Sequence, residues 1–232
     1  MGPRQRLIVA LDVSSSAAAR KIVAAVGDSA HAYKVGMQLY TAEGPAIVRE
    51  LTGSGRRVFL DLKYHDIPNT VSAAVREAAQ LGVSMLTVHA TGGAKMLRAA
   101  AEAGHAVNPD LLVLAVTVLT SLDDADLNML GIRGGILDQV LRLAALALSN
   151  GCQGIVASAQ EASALREEFG RDFTIVTPGV RPAGSGADDQ ARVVTPAEAI
   201  AAGASYIVVG RPITEAPDPA AEARAILGQL AA

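Results

Sequence analysis

Cysteine, aromatic residues and excess positive charge are all scarce in this sequence, and each scarcity removes a class of explanation. Among 232 residues there is one cysteine, Cys152, so no intramolecular disulfide can staple the chain. Cys152 lies between Gly151 and Gln153 at the head of an apolar run, which favours a buried small hydrophobe over a nucleophile. The four histidines, His31, His65, His89 and His105, show no zinc-ligand spacing with one another or with that cysteine. A formal net charge of -3 supplies no basic field for a phosphate backbone, so nucleic acid is not an expected partner. Any charge on a substrate must be met locally. No apolar stretch approaches the ~20 residues of a membrane span, and Asp12 interrupts the first apolar run too early for a secretory signal. No membrane partner is expected, and a cytoplasmic location follows from that reading. Aromatics make up only 3% of the chain while 50% is hydrophobic, with 22 glycines. That balance suits helices packed closely on a sheet and argues against disorder.

What is present is a rhythm. Short apolar runs recur at residues 7–13, 32–36, 58–63, 85–89, 111–117, 154–158, 173–177 and 206–210, making eight candidate strands. Each is followed by an Ala-rich stretch with apolar residues at i, i+3 and i+4, such as Val71, Ala74, Val75 and Ala78, closed by Gly82. Strands alternating with helices predict a parallel sheet, and eight such units favour a closed (β/α)8 TIM barrel over an open doubly wound sheet. The length is near the roughly 250 residues typical of one barrel, so residues 1–232 read as a single α/β domain.

In such a barrel the active site lies at the carboxyl ends of the strands. Asp12 ends the first run, Lys34 sits in the second, Asp61 and Lys63 end the third, and His89 ends the fourth. Thr117 ends the fifth, and Gly210 with Arg211 ends the eighth. An ionisable group in an apolar strand costs several kcal/mol, of order 2 or more, unless paired or solvated, so scaffold alone explains this placement poorly. Along VFLDLK, alternation puts Phe59, Asp61 and Lys63 on one face and Val58, Leu60 and Leu62 on the other. Asp61 and Lys63 then point into the barrel mouth, with Asp66 in the loop beyond and Lys34 on the next strand. Alternating ammonium and carboxylate groups hold one another ionised where water is scarce. A structural ion-pair network would look the same from these residues alone.

The stretch DLKYHDIPNT, residues 61–70, makes the sequence resemble the bacterial-type orotidine 5'-phosphate decarboxylases. The likeness extends to LDVSS (11–15), YKVG (33–36), VTVLTS (116–121), TPGVRP (177–182), Gln190 and GRPIT (210–214). The resemblance implies that Lys63 donates the proton that quenches a C6 carbanion as carbon dioxide leaves, with Asp61 beside the departing carboxylate. It implies that Lys34 and Asp12 bind the ribose hydroxyls, and that Thr120 contacts the pyrimidine while Gln190 bridges base and phosphate. It further implies a homodimer in which Asp66, Ile67 and Thr70 reach across a two-fold interface into the partner's site. No metal or organic cofactor is implied.

Pro212 is suited to open a short helix after Gly210 and Arg211, and barrels often hold phosphate on backbone N–H groups there. Arg211 adds a bidentate fork. Residues 178–190, PGVRPAGSGADDQ, resemble a lid carrying Arg181 and ending at Gln190, although an ordinary surface loop would have the same composition. His65 and His89 are expected to make structural hydrogen bonds rather than to catalyse. The rival on the same barrel is a magnesium-dependent decarboxylase or aldolase acting on sugar phosphates, a group similar in its Asp, Lys, Asp core. Those relatives carry a carboxylate where Lys34 stands, and an ammonium cannot ligate magnesium. The other rival is a catalytically dead barrel kept as a scaffold, against which the joint presence of Lys34, Asp61, Lys63, Asp66 and Arg211 speaks.

Overall fold

The structure, a computed structural model, describes residues 2–182 and 194–231. Its eight strands are β1 (Leu7–Ala10), β2 (Ala32–Gly36), β3 (Arg57–Tyr64), β4 (Met85–His89), β5 (Leu112–Val116), β6 (Gly154–Val156), β7 (Thr174–Thr177) and β8 (Tyr206–Val209). They pair in parallel in sequence order and close through β1 and β8, as the alternation of apolar runs and helical stretches predicts. Each run supplies a strand of nearly the expected length; the exceptions are trimmed ends, as at β1 and β6, and β3, which runs one residue beyond Lys63.

Two apolar layers follow from the pleat. Ile8, Ala10, Ala32, Phe59, Met85, Leu114, Val176, Tyr206 and Val208 fill the barrel interior. The alternate positions, including Val9, Val35, Leu60, Val88 and Ile207, pack outward against the helices. Each fully buried aliphatic chain contributes about 1.5–3 kcal/mol. On β6 a side chain would not fit at the inner layer. A Cβ on Gly154 would meet the Thr174 carbonyl oxygen and Leu114 Cδ2 well inside contact distance, so the closure of β5, β6 and β7 depends on that glycine.

The helical layer explains the scarcity of aromatics. In the helix Pro68–Gln80 the buried positions are Val71, Val75, Ala78 and Ala79, one stripe at helical spacing, with Pro68 at the first turn. Its neighbour Gly93–Val107 buries Met96, Leu97, Ala100, Ala101, Ala103 and Gly104. A Cβ on Gly104 would stand 3.1 Å from both Leu111 and Val113, so small residues set how closely this helix approaches the sheet. Cys152 is buried in the same outer layer, where burial pushes its thiol up to about 12, and it behaves as the small hydrophobe its neighbours suggest. Among the described residues no helix is long and apolar enough to cross a membrane.

Candidate active site

Moving up the barrel, the inward face turns polar on three adjacent strands. Ala32 is followed by Lys34 on β2, Phe59 by Asp61 on β3, and Met85 by Thr87 on β4. These residues meet at the carboxyl end, beside a cavity of about 520 Å³. Asp12, Lys34, Asp61, Lys63, Thr120, Arg181, Gly210 and Arg211 all line it, drawn together from six places along the sequence. That volume suits a small organic ligand.

The charged wall is a chain of ion pairs. Lys34 Nζ donates to Asp12 Oδ1 at 2.7 Å and lies 3.9 Å from Asp61 Oδ2. Lys63 Nζ donates to both Asp61 oxygens at 3.0 Å. The side chains of Lys34 and Asp61 are only 12% and 14% exposed, so their charges are poorly hydrated and depend on one another. At that separation a unit charge pair attracts by about 4 kcal/mol at an effective dielectric of 20, comparable with the cost of removing each ion from water. Gly36 makes room for this chain. A Cβ there would lie 2.9 Å from Lys34 Nζ and 3.0 Å from Asp12 Oδ1.

The alternation expected along VFLDLK needs correction at its end. Opposite β4, Leu60 pairs with Leu86 but Tyr64 pairs with Val88, so four residues of β3 span two of β4. Within the resulting bulge Lys63 has φ 51°, the only positive φ of a non-glycine residue among those described. An L side chain there costs of order 1–3 kcal/mol. Lys63 reaches the cavity through that strained turn of the backbone rather than through a regular pleat. The Lys63 N–H donates to Thr87 Oγ1 at 2.9 Å, and the Thr87 hydroxyl donates to Asp61 Oδ1 at 3.0 Å.

The histidines sit behind this wall. His65 and His89 stack with ring centroids 5.4 Å apart, and His89 Nδ1 shares a hydrogen bond of 2.7 Å with Thr91 Oγ1. Burial, then the proximity of His65 and Lys63, holds the His89 imidazole below its ordinary pKa. Neither histidine lines the cavity.

The opposite wall differs in kind. Val116, Val156, Val176 and Val208 are apolar, and beyond them lie Pro178, Gly179 and Arg181 after β7 and Gly210 and Arg211 after β8. Arg181 is 6% exposed, and its N–H donates to the Val194 carbonyl at 3.0 Å, returning the chain to the barrel rim. The expected short helix is present at Arg211–Thr214, with Pro212 in its first turn. Gln190 and most of the expected lid lie outside the described residues.

Asp66, Ile67 and Thr70 do not line the cavity of their own chain. All three are exposed, Ile67 by 67%, and Asp66 Oδ1 accepts from the Ile67 N–H at 2.6 Å. Asp66 therefore does not join Lys34, Asp61 and Lys63 within one protomer. Reading the sequence did not single out Gly36 or Thr87. A hydroxyl two residues beyond Met85 on an inward face was a usable signal for Thr87, and nothing in YKVG distinguishes Gly36 from an ordinary strand end.

Comparison with known proteins adds a second line. The family described as Orotidine 5'-phosphate decarboxylase / HUMPS matches residues 5–226. A protein of Moorella thermoacetica named orotidine 5'-phosphate decarboxylase is 52% identical over 236 aligned positions, covering 99% of this chain and 94% of the other. One of the same name from Halorhodospira halophila is 53% identical, covering 98% and 96%. The crystal structure of orotidine 5'-phosphate decarboxylase from Lactobacillus acidophilus superposes with a TM-score of 0.88 at 41% identity, covering 97% of this chain and 99% of that one.

Proposed function

The chain belongs to the orotidine 5'-phosphate decarboxylase / HUMPS family, and from that premise we propose that it converts orotidine 5'-phosphate to UMP and carbon dioxide, a step of de novo pyrimidine biosynthesis. One observation carries the reading to the level of residues: the Lys63 ammonium, 3.0 Å from both oxygens of Asp61, in the charged wall of a cavity of about 520 Å³.

In this reading the substrate's C6 carboxylate faces Asp61, so two like charges meet in a poorly hydrated place. The C6–carboxylate bond breaks, its electron pair stays on C6, and carbon dioxide leaves. Lys63 Nζ then delivers its proton to C6 and is reprotonated from solvent. The ammonium is favoured more as charge moves onto carbon, which is where a rate gain arises. Lys34 and Asp12 bind the ribose hydroxyls, and Thr120 contacts the pyrimidine against the valine wall. Gly210 and Arg211 hold the phosphate, joined by Arg181 and by Gln190 beyond the described segment. Because the phosphate is remote from C6, its binding energy can drive closure of the site.

The donor set supports chemistry without a metal or organic cofactor. Lys34 Nζ stands 2.7 Å from Asp12 and 3.9 Å from Asp61, so an ammonium occupies the ground between the two carboxylates that a divalent cation would need. The exposed apolar Ile67, flanked by Asp66 and Thr70 outside their own cavity, supports a homodimer in which these residues complete the partner's site. One barrel domain working in the cytoplasm, with neither nucleic acid nor membrane as partner, completes the reading.

The test is to follow the orotate absorbance of orotidine 5'-phosphate with purified protein, with and without a chelator. Turnover to UMP in both arms is the expected result. Absence of turnover overturns the activity, and turnover lost only with chelator overturns its independence of metal.

A further inference from the structure

We infer that Thr87 is a positioning residue for the proton donor, and that its hydroxyl sets the turnover rate without touching the substrate. This rests on the proposed decarboxylation. Thr87 is completely buried and does not line the cavity; it lies behind the charged wall. Its single hydroxyl makes two bonds with different consequences.

As an acceptor, Thr87 Oγ1 takes the Lys63 N–H at 2.9 Å. Lys63 stands where the β3–β4 register jumps from Leu60–Leu86 to Tyr64–Val88, so Thr87 has no Cα partner on β3 and Lys63 has none on β4. The threonine hydroxyl stands in for the missing strand partner. It holds a left-handed backbone at φ 51° that an L side chain rarely adopts. That turn decides where the Lys63 side chain leaves the strand.

As a donor, the same hydroxyl reaches Asp61 Oδ1 at 3.0 Å, the oxygen that also accepts from Lys63 Nζ at 3.0 Å. The carboxylate is thus held by two donors, the Thr87 hydroxyl and the Lys63 ammonium. Backbone and head group of Lys63 are tied to one side chain, the first directly and the second through Asp61. A hydroxyl is the smallest group that can donate and accept at once, and a valine of the same shape can do neither. Without it the Lys63 N–H loses its buried partner, the bulge can relax, and the ammonium shifts from the line of C6. A displacement of about 1 Å is enough to cost on the order of 100-fold in a reaction that depends on position.

The experiment compares Thr87→Val and Thr87→Ser with the unmodified protein. Three quantities are read: kcat for orotidine 5'-phosphate, affinity for UMP, and exchange of the Lys63 amide by NMR. The expected result for Thr87→Val is a fall in kcat of about 30-fold, near the worth of one bond to a charged group, with UMP affinity within about twofold. Thr87→Ser restores most of the rate. The Lys63 amide is protected in the unmodified and serine proteins.

Equal kcat in Thr87→Val and the unmodified protein overturns the inference, as do equal losses in the valine and serine variants. A loss of UMP affinity in parallel with kcat also overturns it, because a remote positioning role leaves ground-state binding intact. Should Thr87→Val fail to fold, amide exchange in the unmodified protein decides: a Lys63 amide exchanging as fast as those of exposed His65 and Asp66 contradicts the bridge. An unmodified protein that fails to decarboxylate at all counts against the proposed function instead, since the exchange measurement stands without turnover.

Discussion

The two sides of the barrel mouth start from the same inward pleat and finish it with opposite chemistry. On β2, β3 and β4 the upper inward positions carry Lys34, Asp61 and Thr87; on β5, β6 and β8 they carry Val116, Val156 and Val208. Gathering the charges on adjacent strands lets each compensate the next, whereas the same groups spread around the rim would each need a separate partner. In the proposed reaction the valine side would keep water from the reacting carbon and so strengthen the interactions on the charged side. Backbone is also treated differently. The charged side contains the bulge and the positive φ of Lys63, while the far side ends in regular strands and passes to glycine-containing turns at Gly179 and Gly210.

The largest expected effect breaks the charged side and then repairs it. Lys63→Ala and Asp66→Ala, each nearly inactive alone, should regain activity when mixed and allowed to exchange subunits. Each hybrid dimer has one site with neither substitution, so random exchange predicts about a quarter of the unmodified rate. A hybrid verified by mass spectrometry that stays inactive returns Asp66 to its own protomer.

Next comes the far rim. Arg211→Ala should lower kcat/KM by about 100-fold or more, because in the proposed function it removes a charge-assisted fork from the substrate phosphate. Wild-type rates at both saturating and limiting substrate contradict that role. If the contrast between the two sides holds, Arg211→Ala leaves the ion pairs of Asp61 intact, and the weakened protein still turns over when substrate is abundant.

The smallest effect concerns stability behind the charged wall. His89 has its pKa held below the ordinary 6.5, first by burial and then by His65 and Lys63. The unfolded chain therefore binds more protons, so the contribution of His89 to stability is full above about pH 6.5 and declines as pH falls through the interval down to the depressed value. Thermal melts from about pH 7.5 to about pH 5.5 should drop more steeply for the unmodified protein than for His89→Gln. Parallel curves contradict the placement of that imidazole.

The charged side was the more legible of the two. Asp12, Lys34, Asp61 and Lys63 interrupt apolar runs, and an ion in a strand is costly enough to announce a site. Arg211 and Gly210 were found for the complementary reason, that glycine before arginine and proline predicts a turn and a short helix at the rim. The bulge was not legible. Alternation has a period of two, and it places Lys63 on the side of Asp61 whether the strand is regular or carries the extra residues. Thr87 was hidden because threonine is an ordinary strand residue, and its function lies in the partners it finds across the strands. Gly36 was hidden because what it accommodates, the Lys34 and Asp12 head groups, comes from two separate segments of the chain, β2 and the loop after β1. Asp66 does not line its own chain's cavity, in keeping with the place that the family resemblance, rather than spacing or alternation, implies for it.

The most direct measurement is the turnover of orotidine 5'-phosphate by Lys63→Ala at saturating substrate, beside UMP binding to the same preparation. A proton donor 3.0 Å from Asp61 predicts a loss of about 10⁴-fold in kcat while UMP still binds. Turnover within about tenfold of the unmodified enzyme would contradict the assignment of Lys63 as the group that quenches the carbanion.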